Sequence, residues 1–136
     1  MGLAERRISK EFQEKTYPGL KARIEEAAGF PVPLDVMWDS LMIEGQSRLC
    51  SETWPDVYFE PLIEGLQSIT RDELGKEALQ KELKSVVIQN RGGNSCAGTW
   101  ATFENGVLRL DHEPTTNVQN KEDRTQKLRE ILESNL

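Results

Sequence analysis

The sequence has little of the residue types that mark several classes of protein. Of its 136 residues only two are cysteine, Cys50 and Cys96, and only one, His112, is histidine. Two distant cysteines are too few for a disulfide scaffold or a cysteine-based zinc site, so both are expected to be reduced thiols. The sequence therefore favours a protein whose core forms without disulfide or zinc crosslinks.

Long apolar runs are also missing. No run approaches the roughly 18 apolar residues that a membrane-spanning helix needs, and residues 1–7 lack the apolar core of a signal peptide. The chain has the length of one domain and is large enough to bury a hydrophobic core. We therefore predict a single domain over residues 1–136, located in the cytoplasm and not bound to a membrane.

Basic residues are scarce in one part of the chain. The formal net charge is −6, and between Gly29 and Ile69 the only basic residue is Arg48. Such a segment would repel nucleic acid and anionic lipid, whereas it would attract a basic protein. The acidic residues of this segment are Asp35, Asp39, Glu44, Glu52, Asp56, Glu60 and Glu64.

The clearest structural signal is Asn105-Gly106, which lies between two alternating runs. Such a dipeptide is typical of a two-residue type I′ hairpin turn, because both central residues need a positive φ. The turn predicts a register in which Phe103 faces Leu108 and Ala101 faces Leu110. Continuing the alternation one residue further places Trp100 opposite Asp111, on the solvent-exposed face of the hairpin.

Two further strands are predicted. The β-branched run Ser85–Gln89 precedes the hairpin and would complete a C-terminal meander, while Leu34–Asp39 alternates as a half-buried strand. The earlier strand is best placed beside Ser85–Gln89, because a lone strand cannot satisfy its backbone groups. The fold class is therefore α+β: an antiparallel sheet of three to four strands, formed by the meander and the earlier strand, with helices packed on one face.

Apolar periodicity and capping residues predict the helices. Residues 3–28 read as helix with a break at Tyr17, because Pro18 disfavours the α conformation before it, and Gly29 ends the helix. Thr70 and Glu73 have the spacing of a capping box that starts another helix. Residues 41–48 are predicted as mostly coil, residues 57–69 as helix, and Asn120 as the start of the last helix.

His112 is the main candidate for chemistry, since Asp111 and Glu113 flank it. The three residues could hold a divalent metal or act as an acid/base pair. However, neighbouring residues of a strand point to opposite faces, so a histidine with local hydrogen bonds is the favoured interpretation. A thiol dyad of Cys50 with His112 would require tertiary contact. The Gly92-Gly93 loop lacks phosphate-binding spacing, and we assign no catalytic residue, metal or cofactor.

Three functional hypotheses remain. The first is a non-enzymatic protein-binding module, of the inhibitor, immunity or regulatory type, that contacts a basic partner through Glu52, Trp54, Asp56, Tyr58, Glu60 and Glu64. The alternative is a small-molecule-binding protein or enzyme with a pocket between sheet and helices near Trp38, Cys50 and His112. The third is a homo-oligomer that associates through Trp100 and Val107 on the exposed face of the meander.

Overall fold

The computed structural model describes residues 2–136 as helices that cover one face of a four-stranded sheet. The elements, in chain order, are α1 (Leu3–Lys15), α2 (Tyr17–Ala28), β1 (Leu34–Val36), a 3₁₀ turn (Trp38–Leu41), α3 (Ser47–Trp54), a π-helical segment (Pro55–Phe59), α4 (Glu60–Ile69), α5 (Glu73–Glu82), β2 (Ser85–Gln89), a second 3₁₀ turn (Ala97–Thr99), β3 (Ala101–Glu104), β4 (Val107–Asp111) and α6 (Lys121–Asn135). The α+β class is confirmed.

The sheet is mixed and mostly parallel, so the predicted antiparallel meander is wrong. The strand order is β1-β2-β4-β3, with β1 parallel to β2, β2 parallel to β4 and only β3 antiparallel to β4. Residues 90–100 do not turn β2 back onto β3. They carry the chain past the sheet position next to β2, so that β3 lies at the edge of the sheet. β4 then fills the position between β2 and β3.

The composition of β2 explains its central place. Val86, Val87 and Ile88 are all buried, so both faces of this strand are apolar, as is typical of an inner strand of a parallel sheet.

The side chain of Asp111, at the end of β4, holds the connection that follows β2. Its carboxylate accepts hydrogen bonds from the backbone N–H groups of Arg91, at 3.0 Å, and Gly92, at 3.1 Å.

The β3–β4 hairpin is confirmed. Phe103 pairs with Leu108 and Ala101 with Leu110, as the sequence predicts. Asn105 has a φ of 52° and Gly106 one of 81°, which are the positive values that a type I′ turn requires.

The earlier strand lies beside β2, as predicted, but it is shorter and parallel to it. The predicted span Leu34–Asp39 keeps strand geometry only at Leu34–Val36, because the chain then enters the 3₁₀ turn. That turn directs Trp38 toward an aromatic cluster with Phe12 and Tyr17, at ring-centroid distances of 5.7 and 5.0 Å.

The hydrophobic core lies between the sheet and the helices. Val86, Ile88, Leu108 and Leu110 form its floor, and the buried faces of α2, α4 and α6 cover it. On the opposite face Asp35 and Thr102 are exposed, whereas Val87 is buried. Within the described residues 2–136, no helix has the length and apolar character needed to cross a bilayer.

Some helix ends follow the sequence signals and others do not. The break lies at Thr16, one residue before its predicted place at Tyr17, whereas the left-handed Gly29, with a φ of 85°, is as expected. The predicted capping box at Thr70 is wrong, because Asp72 caps α5 by accepting a hydrogen bond from Gly75 N at 2.8 Å. The Thr70 hydroxyl instead contacts carbonyls of Ala27 and Leu66 at the end of α4.

Residues 42–46 are irregular, in agreement with the expected coil, but the helix begins at Ser47 and not near residue 57, so the segment 47–69 is continuous helix. Its middle, Pro55–Phe59, is a π-helix in which Glu60 N bonds to Pro55 O, five residues earlier. Such wide turns are rare and often occur at functional sites. This helix carries most of the predicted site residues.

Candidate functional site

The four carboxylates of the predicted contact surface all lie on the helix that spans residues 47–69. Glu52 in α3 and Asp56 in the π segment are exposed, whereas Glu60 and Glu64 in α4 are half-buried. An α-helix turns once in 3.6 residues, so residues four apart lie on nearly the same side of the helix, with a small rotation at each step. The wider π turn reduces that rotation. We call these four residues, Glu52, Asp56, Glu60 and Glu64, the acidic face.

Glu60 is already paired within the protein. The two Nη atoms of Arg23, on α2, lie 2.5 and 3.0 Å from its two carboxylate oxygens. This side-chain hydrogen bonding lowers the pKa of Glu60, although burial opposes the effect, and raises the pKa of Arg23. Glu64 accepts a hydrogen bond from the Thr125 hydroxyl at 3.3 Å. Glu52 and Asp56 are therefore the members of the acidic face whose carboxylates form neither a hydrogen bond nor an ion pair within residues 2–136.

Trp54 and Tyr58 are fully buried, which removes them from the predicted contact surface. The indole Nε1 of Trp54 donates to the carbonyl oxygen of Leu41 at 2.9 Å, and the hydroxyl of Tyr58 donates to the carbonyl oxygen of His112. Their polar tips are satisfied inside the protein, as is usual for buried Trp and Tyr. Burial raises the pKa of Tyr58 well above its usual value.

The predicted pocket of Trp38, Cys50 and His112 is not formed. Trp38 is half-buried in the aromatic cluster, whereas Cys50 and His112 are fully buried. The Cys50 sulfur accepts a hydrogen bond from Ile43 N at 3.4 Å, and burial raises the pKa of this thiol. None of the three residues lines any of five well-formed surface cavities on residues 2–136.

His112 sits at the end of β4 with its ring enclosed. Nδ1 lies 2.6 Å from the backbone oxygen of Glu113, which assigns the proton of a neutral ring to Nδ1, whereas Nε2 is buried and has no hydrogen-bond partner among residues 2–136. The ring packs edge-on against Trp100, with centroids 6.4 Å apart. Burial lowers the pKa of His112, and this outweighs the backbone carbonyls of Glu113 and Ser95, which favour the charged form.

Arg124 is a buried residue that the sequence analysis did not identify. Its guanidinium donates from Nε to Val57 O at 3.1 Å, and from Nη2 to Asp56 O at 3.2 Å and Val118 O at 2.8 Å; Nη1 donates to Asn117 O at 2.7 Å. A buried cation is tolerated only when it is fully hydrogen-bonded, and here backbone carbonyls take the place of a carboxylate. Burial lowers the pKa of Arg124.

Trp100 is buried and does not lie on an exposed sheet face, so its predicted placement is wrong. Its backbone is in the α region, with a φ of −76° and a ψ of −23°, which interrupts the strand alternation before Ala101. The indole Nε1 donates to Arg124 O at 3.0 Å. A surface for self-association cannot include this ring, whereas Val107 is half-buried and partly accessible.

Comparisons of the chain with protein-family models, with curated proteins and with solved structures found no match. Within residues 2–136, no three side chains of the types His, Cys, Asp and Glu are grouped so that they could hold a metal ion. Function is therefore inferred from the charge and placement of the exposed side chains.

Proposed function

We propose that the protein is a non-enzymatic binding module, of the inhibitor, immunity or regulatory type, that contacts a basic protein partner through its acidic face. One observation carries the proposal. Five of the seven acidic residues between Gly29 and Ile69 are exposed, and within the described residues none of the five forms an ion pair. They are Asp35, Asp39, Glu44, Glu52 and Asp56; Glu52 and Asp56 belong to the acidic face, whereas Asp35 lies on the sheet face opposite to the helices.

The centre of the proposed contact is Glu52 and Asp56. Unpaired exposed carboxylates steer an oppositely charged partner and raise its association rate. Because Trp54 and Tyr58 are buried, the acidic face has no aromatic anchor from this helix. Binding should therefore depend strongly on ionic strength, since exposed charges are screened by salt. The proposal also places the protein in the cytoplasm, where its free cysteines would stay reduced.

The test is a charge reversal with a matched control. The double variant Glu52→Lys and Asp56→Lys changes the centre of the acidic face. The control, Glu73→Lys and Glu77→Lys, changes two exposed acids with the same spacing on α5, of which Glu73 pairs with Lys76 at 3.3 Å, and gives the same net charge. Both variants should keep the far-ultraviolet circular dichroism of the wild type, because all four side chains are exposed.

Each protein is then used to capture partners from a host lysate at low and high salt. A basic protein that binds the wild type and the α5 control, but not the Glu52/Asp56 variant, supports the proposal. Its association rate, measured with the purified pair, should fall steeply with added salt. Equal capture by both variants would contradict the acidic face as the contact.

A second candidate function rests on a cleft at the carboxyl ends of the parallel strands. Ligands of open α/β sheets commonly bind near this edge. The cleft has a volume of about 480 Å³ and lies between the 3₁₀ turn after β2 and α6; Ser95, Gly98, Asn117 and Lys127 are among its lining residues. A nuclear magnetic resonance screen of polar metabolites tests it, and shifts confined to these residues would favour a small-molecule-binding protein.

A further inference from the structure

The C-terminal segment, residues 113–135, is attached to the rest of the protein around a small buried polar cluster. Arg124 of α6 bonds to carbonyls of the π segment, and its own carbonyl accepts a hydrogen bond from Trp100. The loop before α6 is held by Arg124 as well, through Asn117 O and Val118 O. Contacts of this one arginine thus join α6, the loop and the helix of residues 47–69.

His112 lies at the base of this segment and packs against the same Trp100 ring. It is fully buried, and Nε2 has no hydrogen-bond partner among residues 2–136, so a proton added there would create a buried charge that the backbone carbonyls of Glu113 and Ser95 offset only in part. The ionisable groups that face it are Arg124 from α6, Tyr58 from the π segment and Glu113 from the loop. Arg124 opposes a second positive charge. Glu113 favours it, but its carboxylate already accepts the Thr116 hydroxyl at 2.8 Å.

We propose that His112 is an acid-sensitive latch: its neutral ring favours the docked state of residues 113–135, and protonation of the ring shifts this segment toward an undocked state while the sheet stays folded. Charging the ring introduces repulsion toward Arg124 and leaves Nε2–H unsatisfied in the interior. Undocking of the loop and α6 relieves both costs, because it lets water reach the ring and separates the two cations. The inference does not depend on the proposed partner.

The direction of the pH effect follows from the folded-state pKa, which burial holds below its usual value. A ring that is freed by opening takes up a proton below about pH 6.5, so opening becomes more favourable as the pH falls through that value. The opening equilibrium should increase by up to about tenfold for each pH unit until the docked ring itself titrates. Glu60 titrates at lower pH and Tyr58 and Cys50 at higher pH, so none of these three groups changes charge here.

The single histidine makes the experiment unambiguous. Amide hydrogen exchange is measured at pH 7.0 and pH 5.5 on the wild type and on His112→Asn, and each rate is converted to a protection factor to remove the intrinsic effect of pH. Asparagine does not titrate, and its amide can still donate to Glu113 O in place of Nδ1. In parallel, the ring carbon and proton shifts of His112 are followed against pH in the wild type.

In the wild type, protection of the α6 amides should fall several-fold to about tenfold between the two pH values, while protection of β2 and β4 changes less. In His112→Asn the ratio between α6 and the sheet should not change with pH. The ring should titrate below 6.5. Equal loss of protection in α6 and the sheet would overturn the latch, as would the same pH dependence in His112→Asn or a ring that titrates above 6.5.

Discussion

Pro61 removes a backbone donor from the long helix, and Arg124 supplies donors in its place. Residue 61 would bond to Val57 O with α-helical spacing or to Asp56 O with π-helical spacing, but proline has no N–H. The two carbonyls instead accept from Nε and Nη2 of Arg124, at 3.1 and 3.2 Å. Arg124 therefore supplies donors to the free carbonyls of the irregular turn, and these carbonyls supply acceptors to the buried guanidinium.

Replacing Arg124 by lysine should destabilise the fold by about 3 kcal/mol or more, because one ammonium group cannot reach all four carbonyls and each buried unsatisfied acceptor costs roughly 1–3 kcal/mol. Urea denaturation gives the free energy of unfolding. Arg129→Lys on the same helix is the control, since within residues 2–136 the Arg129 side chain bonds only to Gln126, in a surface contact. It should change stability by less than about 0.5 kcal/mol. Similar losses in both variants would contradict the role of Arg124.

Replacing Pro61 by alanine restores an N–H that can bond to Val57 O. Because this carbonyl then has a second donor, Arg124→Lys should cost at least about 1 kcal/mol less in the Pro61→Ala background than in the wild type. A double-mutant cycle measures this coupling. Additive effects, with a backbone amide at position 61 that is unprotected in hydrogen exchange, would show that the two residues act independently.

The hairpin turn requires glycine at position 106 for two separate reasons. Its φ is +81°, and an added Cβ would clash with Lys84 Cγ and lie 2.8 Å from Glu82 O. Gly93 has a similar φ of +66° but open space around it. Gly93→Ala should therefore cost about 1 kcal/mol from backbone strain alone, whereas Gly106→Ala should cost about 2 kcal/mol or more. Equal melting temperatures for the two variants would mean that the contact with residues 82–84 is not maintained.

The start of α5 depends on Asp72 and not on Thr70. Asp72→Ala should cost about 1 kcal/mol by loss of the bond to Gly75 N, while Asp72→Ser should recover most of it because serine is also a good cap. Thermal unfolding at neutral pH measures both variants. If Asp72→Ala has wild-type stability and its α5 amides stay protected, this cap does not hold the helix.

Glu60 should titrate below its usual pKa of about 4.3, chiefly because Arg23 hydrogen-bonds to its charged form. A depressed folded-state pKa contributes stability above the unfolded pKa, and that contribution is lost as the pH falls through the folded value. Carboxyl carbon shifts followed against pH measure the titration. Arg23→Gln should move the Glu60 pKa upward. An unchanged Glu60 titration in that variant would show that the pair does not persist in solution.

Local signals in the sequence predict the local structure well. Asn105-Gly106 determines the hairpin register, and Pro18 and Gly29 mark real helix boundaries, because each acts through its own φ or its missing N–H. Such local signals do not determine which distant strands pair. The parallel contact of β2 with β4 depends on which strand occupies the neighbouring position, although the apolar character of both β2 faces was a usable indication of an inner strand.

In the candidate site, the sequence predicts the exposure of the acidic residues but not the burial of the aromatic ones. Glu52 and Asp56 are exposed, as their type suggests, but Trp54 and Tyr58 face the core because α3 begins earlier than expected and continues through a π turn. Arg124 could not be recognised, since its acceptors are backbone carbonyls, which leave no mark in the sequence. Trp100 was misplaced because strand alternation was continued into a residue with helical backbone.

The position of β4 between β2 and β3 has a consequence for the order of folding. β2 and β3 follow each other in the chain and run in opposite directions, so they are suited to pair directly, yet such a pair would close the place that β4 must occupy. Because a two-residue turn costs less loop-closure entropy than the connection of residues 90–100, the β3–β4 ribbon should form before β2 can pair with β3. The ribbon can then dock onto β2 as a unit, and the speed of the Asn105-Gly106 turn protects the chain from a misregistered sheet.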